Sequence, residues 1–162
     1  MKGIHRELLL PHPPARVWRA LTEPRLLALW LMEAEGFEPR PGCRFRFRTK
    51  PAPGFDGTIH CEVLVAEAPT RLVYTWVSGR RRTRPTTVRW TLRAEGPGTR
   101  LMLDHDGFRG AGGFLLRAML RRGWGHKLRD YVPVLVDRLA SANDDEALVD
   151  PTGLLDCQRP AR

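Results

Sequence analysis

Residues 43–106 hold five runs in which apolar and polar side chains alternate, and short turns join each run to the next. A period of two sends every second side chain to one face, the pattern of a half-buried strand. Cys43, Phe45 and Phe47 share a face in the first run, against Arg44, Arg46 and Arg48; Ile59, Cys61, Val63 and Val65 share one in the second. Leu72, Tyr74 and Trp76 oppose Val73, Thr75 and Val77 in the third, and Val88, Trp90 and Leu92 oppose Arg89, Thr91 and Arg93 in the fourth. In the fifth, Leu101, Leu103 and His105 oppose Arg100, Met102, Asp104 and Asp106. Pro51-Ala52-Pro53-Gly54, Ala68-Pro69-Thr70 and Glu95-Gly96-Pro97-Gly98 supply turns, and residues 79–85 form a basic loop. Strands joined this closely pair antiparallel, because a parallel return needs a crossover of a dozen or more residues.

The flanks complete the architecture. Residues 4–10 read as a strand stopped by Pro11-His12-Pro13-Pro14, and the two prolines open a helix over residues 15–21, where a missing N–H costs little. Thr22-Glu23-Pro24 breaks that helix and starts a second, carrying Leu26, Leu27, Leu29, Trp30 and Leu31. After the strands, Phe114, Leu115, Ala118, Met119, Leu128, Tyr131, Val132, Leu135 and Leu139 recur at helical spacing. Gly123 and Gly125 weaken the middle of this helix and Pro133 kinks it. The expected fold is α+β: a curved antiparallel sheet of about six strands around a long C-terminal helix, with two short helices after the first strand. Residues 1–140 are expected to form this one domain. Residues 141–162 carry Asp144, Asp145, Glu146, Asp150 and Asp156 with Pro151, Gly153 and Pro160, the composition of a flexible acidic tail.

The net charge of +9 invites a nucleic-acid partner. However, the arginines are scattered along the chain, and no helix-turn-helix, zinc finger or RNA-binding aromatic motif accompanies them, so no specific nucleic-acid binding is expected. No apolar run approaches the roughly 18–20 residues of a membrane span, and residues 1–7 lack a signal-peptide core, so a cytoplasmic location is expected. Cys43, Cys61 and Cys157 are too few and too scattered for a disulfide framework. His5, His12, His60, His105 and His126 show no HxH or HExxH spacing, and no GxSxG elbow, P-loop or GxGxxG is present; neither metal nor cofactor is expected.

The string Pro13-Pro14-Ala15-Arg16-Val17-Trp18-Arg19-Ala20-Leu21-Thr22-Glu23-Pro24, followed by Leu29-Trp30, resembles the N-terminal signature of START-like (SRPBCC, helix-grip) domains. Glu67-Ala68-Pro69-Thr70-Arg71-Leu72-Val73-Tyr74-Thr75-Trp76, Gly98-Thr99-Arg100-Leu101, His105-Asp106-Gly107-Phe108 and Gly123-Trp124 continue the match in the family's order. The branch most similar is the one named after the activator of the heat-shock-protein-90 ATPase. The resemblance implies a helix-grip fold with a cavity between the sheet and the C-terminal helix, where relatives hold lipids, hormones, polyketides or aromatic compounds and a few catalyse cyclisation or aromatisation. The arginine-rich loop, Pro133 and the acidic tail depart from the family's usual pattern.

On these grounds Phe45, Phe47, Tyr74, Trp76, Trp90 and Leu103 on the strands are candidate cavity residues, with Met119, Trp124, Leu128 and Tyr131 on the helix. Aromatic residues at strand spacing equally suit an ordinary core. His105, facing the same way as Leu101 and Leu103, is a candidate ligand partner or general base; the plainer alternative is a histidine satisfied by a backbone carbonyl or by Asp106. Arg80, Arg81, Arg82 and Arg84 can receive an anion or an acidic partner surface, or form a solvated loop. The expected role is a non-catalytic module, monomeric or homodimeric, holding a small hydrophobic molecule. The alternatives are a cochaperone-like or stress-related protein-interaction module, and a cyclase or aromatase using the same pocket.

Overall fold

The alternating runs become strands in the computed structural model, which describes residues 2–78 and 84–141. Arg80, Arg81 and Arg82, and the acidic segment from residue 142 onward, lie outside the described residues. The order is β1 (Ile4–Leu10), α1 (Pro14–Thr22), α2 (Pro24–Trp30), β2 (Glu33–Glu35), β3 (Arg44–Arg48), β4 (Thr58–Glu67), β5 (Arg71–Ser78), β6 (Thr86–Glu95), β7 (Gly98–Asp106), α3 (Gly110–Asp130) and α4 (Val132–Ser141). The strands form one seven-stranded sheet in the order β1-β7-β6-β5-β4-β3-β2, every neighbouring pair antiparallel. This is the helix-grip arrangement. Strand β2 adds to the six strands read from the sequence. It is three residues long, too short to show a period, and Glu35 is tied to Arg46 and Arg48 of β3 at 3.3 and 3.6 Å.

The inner face of the sheet follows the alternation, with one correction. Val63 pairs with Tyr74, but the register then shifts by a residue, so that Val65 pairs with Val73 and Ala66 with Leu72. This bulge turns Val65 away from the face it was expected to share with Ile59, Cys61 and Val63 and brings Ala66 against the core instead. The inner face packs edge-on aromatic pairs: Phe45 with Phe47 (5.1 Å between centroids), Phe45 with Tyr74 (5.6 Å) and Trp30 with Trp90 (6.0 Å).

Pro14 opens α1 as expected, and the Trp30 indole N–H donates to the Ala20 carbonyl (2.8 Å), locking α2 onto α1. The buried His12 joins these helices to the C-terminal segment: its Nε2 lies 2.5 Å from Asp137 Oδ1, and Arg16 donates to its Nδ1 at 3.2 Å. The long C-terminal helix is two helices. It breaks at Tyr131, which caps α3, and Pro133 sits inside the first turn of α4 rather than within a continuous kinked helix. No described helix is long and apolar enough to cross a membrane.

Gly98 closes the β6–β7 hairpin beside β1. A Cβ there would lie 2.3 Å from the Leu10 carbonyl oxygen, a backbone atom that pairs with β7. Gly98→Ala is therefore expected to pry the ends of β1 and β7 apart and to cost about 1–3 kcal/mol, as overpacking does. Urea unfolding measures it, and an unchanged midpoint would show that the β1 end yields freely.

Candidate functional site

The N-terminal half of α3 does not bury into the sheet. Glycine at 110, 112 and 113 gives it no side chains with which to pack, and Phe114, Leu115 and Met119 are 60, 72 and 64% exposed. The apolar face expected at Phe114 and Leu115 thus points to solvent. A different stripe faces the protein: Gly113, Leu116, Leu120, Trp124 and Lys127, at three- and four-residue spacing. Between this stripe and the ends of β4–β7 lies a cleft of about 660 Å³. Its floor is the buried Trp76 and Trp124, and Leu31, Met32, Phe55, Ile59, Thr86 and Phe108 also line it. Five of the described glycines border it: Gly107 and Gly113 let backbone approach closely, whereas Gly54, Gly112 and Gly123 leave open space. A Cβ on Gly112 or Gly123 would meet nothing within 4 Å.

Trp76, Met119 and Trp124, of the expected cavity residues, border this cleft; so does Arg84 from the basic loop. The others do not. Phe45, Phe47, Tyr74, Trp90 and Leu103 are at most 3% exposed, and Leu128 and Tyr131 at most 7%; all belong to the packed core. Trp90 lies against Trp124 at 5.5 Å, Trp124 against Trp76 at 5.6 Å, so the three indoles fill the space they were expected to enclose. The expectation placed the cavity one layer too deep. Leu31, Phe55, Phe108, Leu116 and Leu120 were missed. For Leu116 and Leu120 the signal is Gly112-Gly113 followed by Leu116, Leu120 and Trp124 at four-residue steps; Leu31, Phe55 and Phe108 carry none.

His105 is fully buried, and its partners are neither a backbone carbonyl nor Asp106. The Trp124 indole N–H donates to Nδ1 (3.1 Å), which leaves the proton on Nε2, 2.8 Å from Thr86 Oγ1. The Thr86 hydroxyl then donates to the Trp76 carbonyl (3.1 Å). Burial pushes the imidazole pKa down to about 3, so the ring stays neutral. Both ring nitrogens are occupied, and the ring positions the two tryptophans of the cleft floor rather than facing the cleft itself. Burial likewise raises the Tyr74 hydroxyl and the Cys61 thiol far above their ordinary ranges, which suits core groups rather than acids or nucleophiles. Among the described residues, no cluster of three or more His, Cys, Asp or Glu could hold a metal ion.

The comparisons agree with this architecture. Residues 11–131 match the family described as Activator of Hsp90 ATPase homolog 1-like protein. The crystal structure of protein MLL2253 from Mesorhizobium loti is similar at 31% identity and a TM-score of 0.75, over 85% of this chain and 98% of that one. Protein NE0264 from Nitrosomonas europaea (22%, TM-score 0.72, 87% and 97%) shares the fold, as does CalU16 from Micromonospora echinospora (23%, TM-score 0.67, 95% and 88%). No curated protein matches the sequence. With the sheet order, the paired N-terminal helices and residues 11–131 all in agreement, the chain belongs to the Activator of Hsp90 ATPase homolog 1-like family.

Proposed function

We propose that this protein binds a small hydrophobic molecule in the cleft between α3 and the sheet, and that binding rather than catalysis is its role. The observation that carries the reading is the cleft itself: about 660 Å³, floored by two indoles and walled mostly by apolar side chains, the size and lining of a small-molecule site. The occupied nitrogens of His105 weigh against its use as a base. Burying an apolar ligand at roughly 25 cal/mol per Å² releases several kcal/mol before association costs, so micromolar affinity is expected.

Trp76 and Trp124 report on occupancy. A panel of flat and aliphatic hydrophobic compounds is expected to give saturable changes in tryptophan emission. Gly123→Leu supplies the control. A helical glycine is about 1 kcal/mol poorer than a good helix former, so the variant should be no less stable, yet its side chain fills the cleft and should weaken binding at least about tenfold. A folded protein that gives no saturable response to the panel, or a Gly123→Leu variant that binds as before, would refute the reading.

One observation favours a second reading. Phe114, Leu115 and Met119 expose a contiguous apolar patch on α3. Such a patch supports a protein-interaction module, with α3 as the partner-facing helix. Phe114→Ser with Leu115→Ser would then abolish partner capture while leaving the cleft response intact.

A further inference from the structure

We infer that the cleft selects an amphipathic carboxylate, an apolar body carrying one anionic head, and that Arg84 and Arg109 receive the head. This rests on the cleft reading above and narrows it to a ligand class. Among the described residues, the charged ones bordering the cleft are Arg84, Arg109 and Lys127, and none that borders it is acidic. Other arginines of the sheet and of α1 sit against carboxylates: Arg19 on Glu23, Arg44 on Glu62, Arg89 on Asp106, and Arg100 on Glu7 and Glu95. Arg84 and Arg109 are exposed, and among the described residues neither has an acidic partner.

The topology brings the two arginines together. Thr87 pairs with Asp106 at the end of the β6–β7 ladder. One residue further, the backbones still touch: a Cβ on Gly107 would lie 3.3 Å from the Thr86 Cα and 3.4 Å from the Pro85 carbonyl oxygen. Arg84 precedes Pro85 by one residue and Arg109 follows Gly107 by two, so both lie at the same end of these two strands. Asp106, the nearest carboxylate on this ladder, is 3.7 Å from Arg89 and does not border the cleft. Lys127 stands further along α3, donating to the Trp30 carbonyl at 3.0 Å and lying over the Tyr131 ring. Two arginines thus border an apolar trough at one end of the β6–β7 ladder. A guanidinium fork matches a carboxylate in a way that it matches neither an alcohol nor a cation. The cleft-facing stretch of α3, from Gly112 to Lys127, runs about 20 Å, long enough for a ten-carbon chain.

The test compares decanoate, 1-decanol and decyltrimethylammonium at neutral pH, read by tryptophan emission on the unmodified protein and on Arg84→Glu/Arg109→Glu. The three probes share a tail and differ in head charge. Decanoate is expected to bind at least about tenfold more tightly than decanol, and the cation more weakly than decanol. The double variant should bring decanoate down to the decanol level or below and leave decanol unchanged. Both arginines are exposed, and a circular dichroism spectrum and thermal midpoint like those of the unmodified protein confirm that the variant folds. Equal binding of decanoate and decanol would overturn the inference while leaving the cleft reading standing. So would a decanoate preference that survives the double substitution. Binding of none of the three would sink both.

Discussion

Replacing Trp90 with alanine is expected to destabilise the protein by about 3–5 kcal/mol, the range for truncating a large buried aromatic. Trp90 is 1% exposed and stands edge-on to Trp30 at 6.0 Å and to Trp124 at 5.5 Å. Its indole N–H donates to the Tyr74 hydroxyl at 3.1 Å, a group that is itself buried. The substitution opens a void beneath the cleft floor and removes a hydrogen bond where water cannot replace it. Aligned against the sequence-based expectation, the outcome separates two roles. A residue that lined the cavity would change which ligands bind while costing less stability. A residue one layer below should cost stability first and alter binding only through movement of Trp124. Urea unfolding of Trp90→Ala and Trp90→Phe measures this. A loss below about 1 kcal/mol for the alanine variant would mean that the indole packs loosely and that the core assignment is wrong.

The strands were legible because one face of the sheet is buried and the other is wet, which writes a period of two into the sequence. Leu101, Leu103 and His105 were all placed correctly on the inner face by that rule alone. It failed at Val65, where a bulge inserts one residue and flips the faces, a shift that alternation cannot announce. Pro133 suggested a kink in one helix, but proline is at home in a first turn, and the break falls earlier, at Tyr131. The cleft was the hardest part to read. Aromatic side chains on neighbouring strands point to an apolar interior without saying whether it is hollow; here Phe45, Phe47, Tyr74 and Trp90 pack on each other and close it. The hollow lies where bulk is missing, at Gly54, Gly112 and Gly123, and its walls come from Leu31, Phe55 and Phe108 in separate connections. Segments with no period of their own, distant in sequence, cannot be assembled by pattern.

Acid should weaken this fold through His105 before its carboxylates titrate. Unfolded, a histidine has a pKa near 6.5; in the folded chain burial pushes His105 down to about 3. Below pH ~6.5 the unfolded chain therefore takes up a proton that the folded chain refuses. The stability that comes from keeping the ring neutral is complete above pH ~6.5 and is lost as the pH falls toward 3, at up to about 1.4 kcal/mol per pH unit. Between pH 6.5 and 5 the loss from this residue is about 2 kcal/mol, in a range above the usual carboxylate pKa values of roughly 4. Geometry works in the same direction as burial. A second proton, on Nδ1, would face the Trp124 N–H that donates there, and would break the chain running from Trp124 through His105 and Thr86 to the Trp76 carbonyl. His105→Gln keeps a buried donor and acceptor but cannot titrate. Urea unfolding of both proteins at several pH values between 7.5 and 5 compares slopes, so the cost of the substitution at neutral pH drops out. The unmodified protein should lose about 2 kcal/mol more than the variant across that range. Parallel curves would mean that the imidazole protonates freely in the folded state, and that the relay holding the two cleft tryptophans is not closed. If the slopes do differ, His105 is a positioning residue: its neutral ring holds Trp124 in place beside Trp76, and the floor of the cleft depends on a proton that stays off Nδ1.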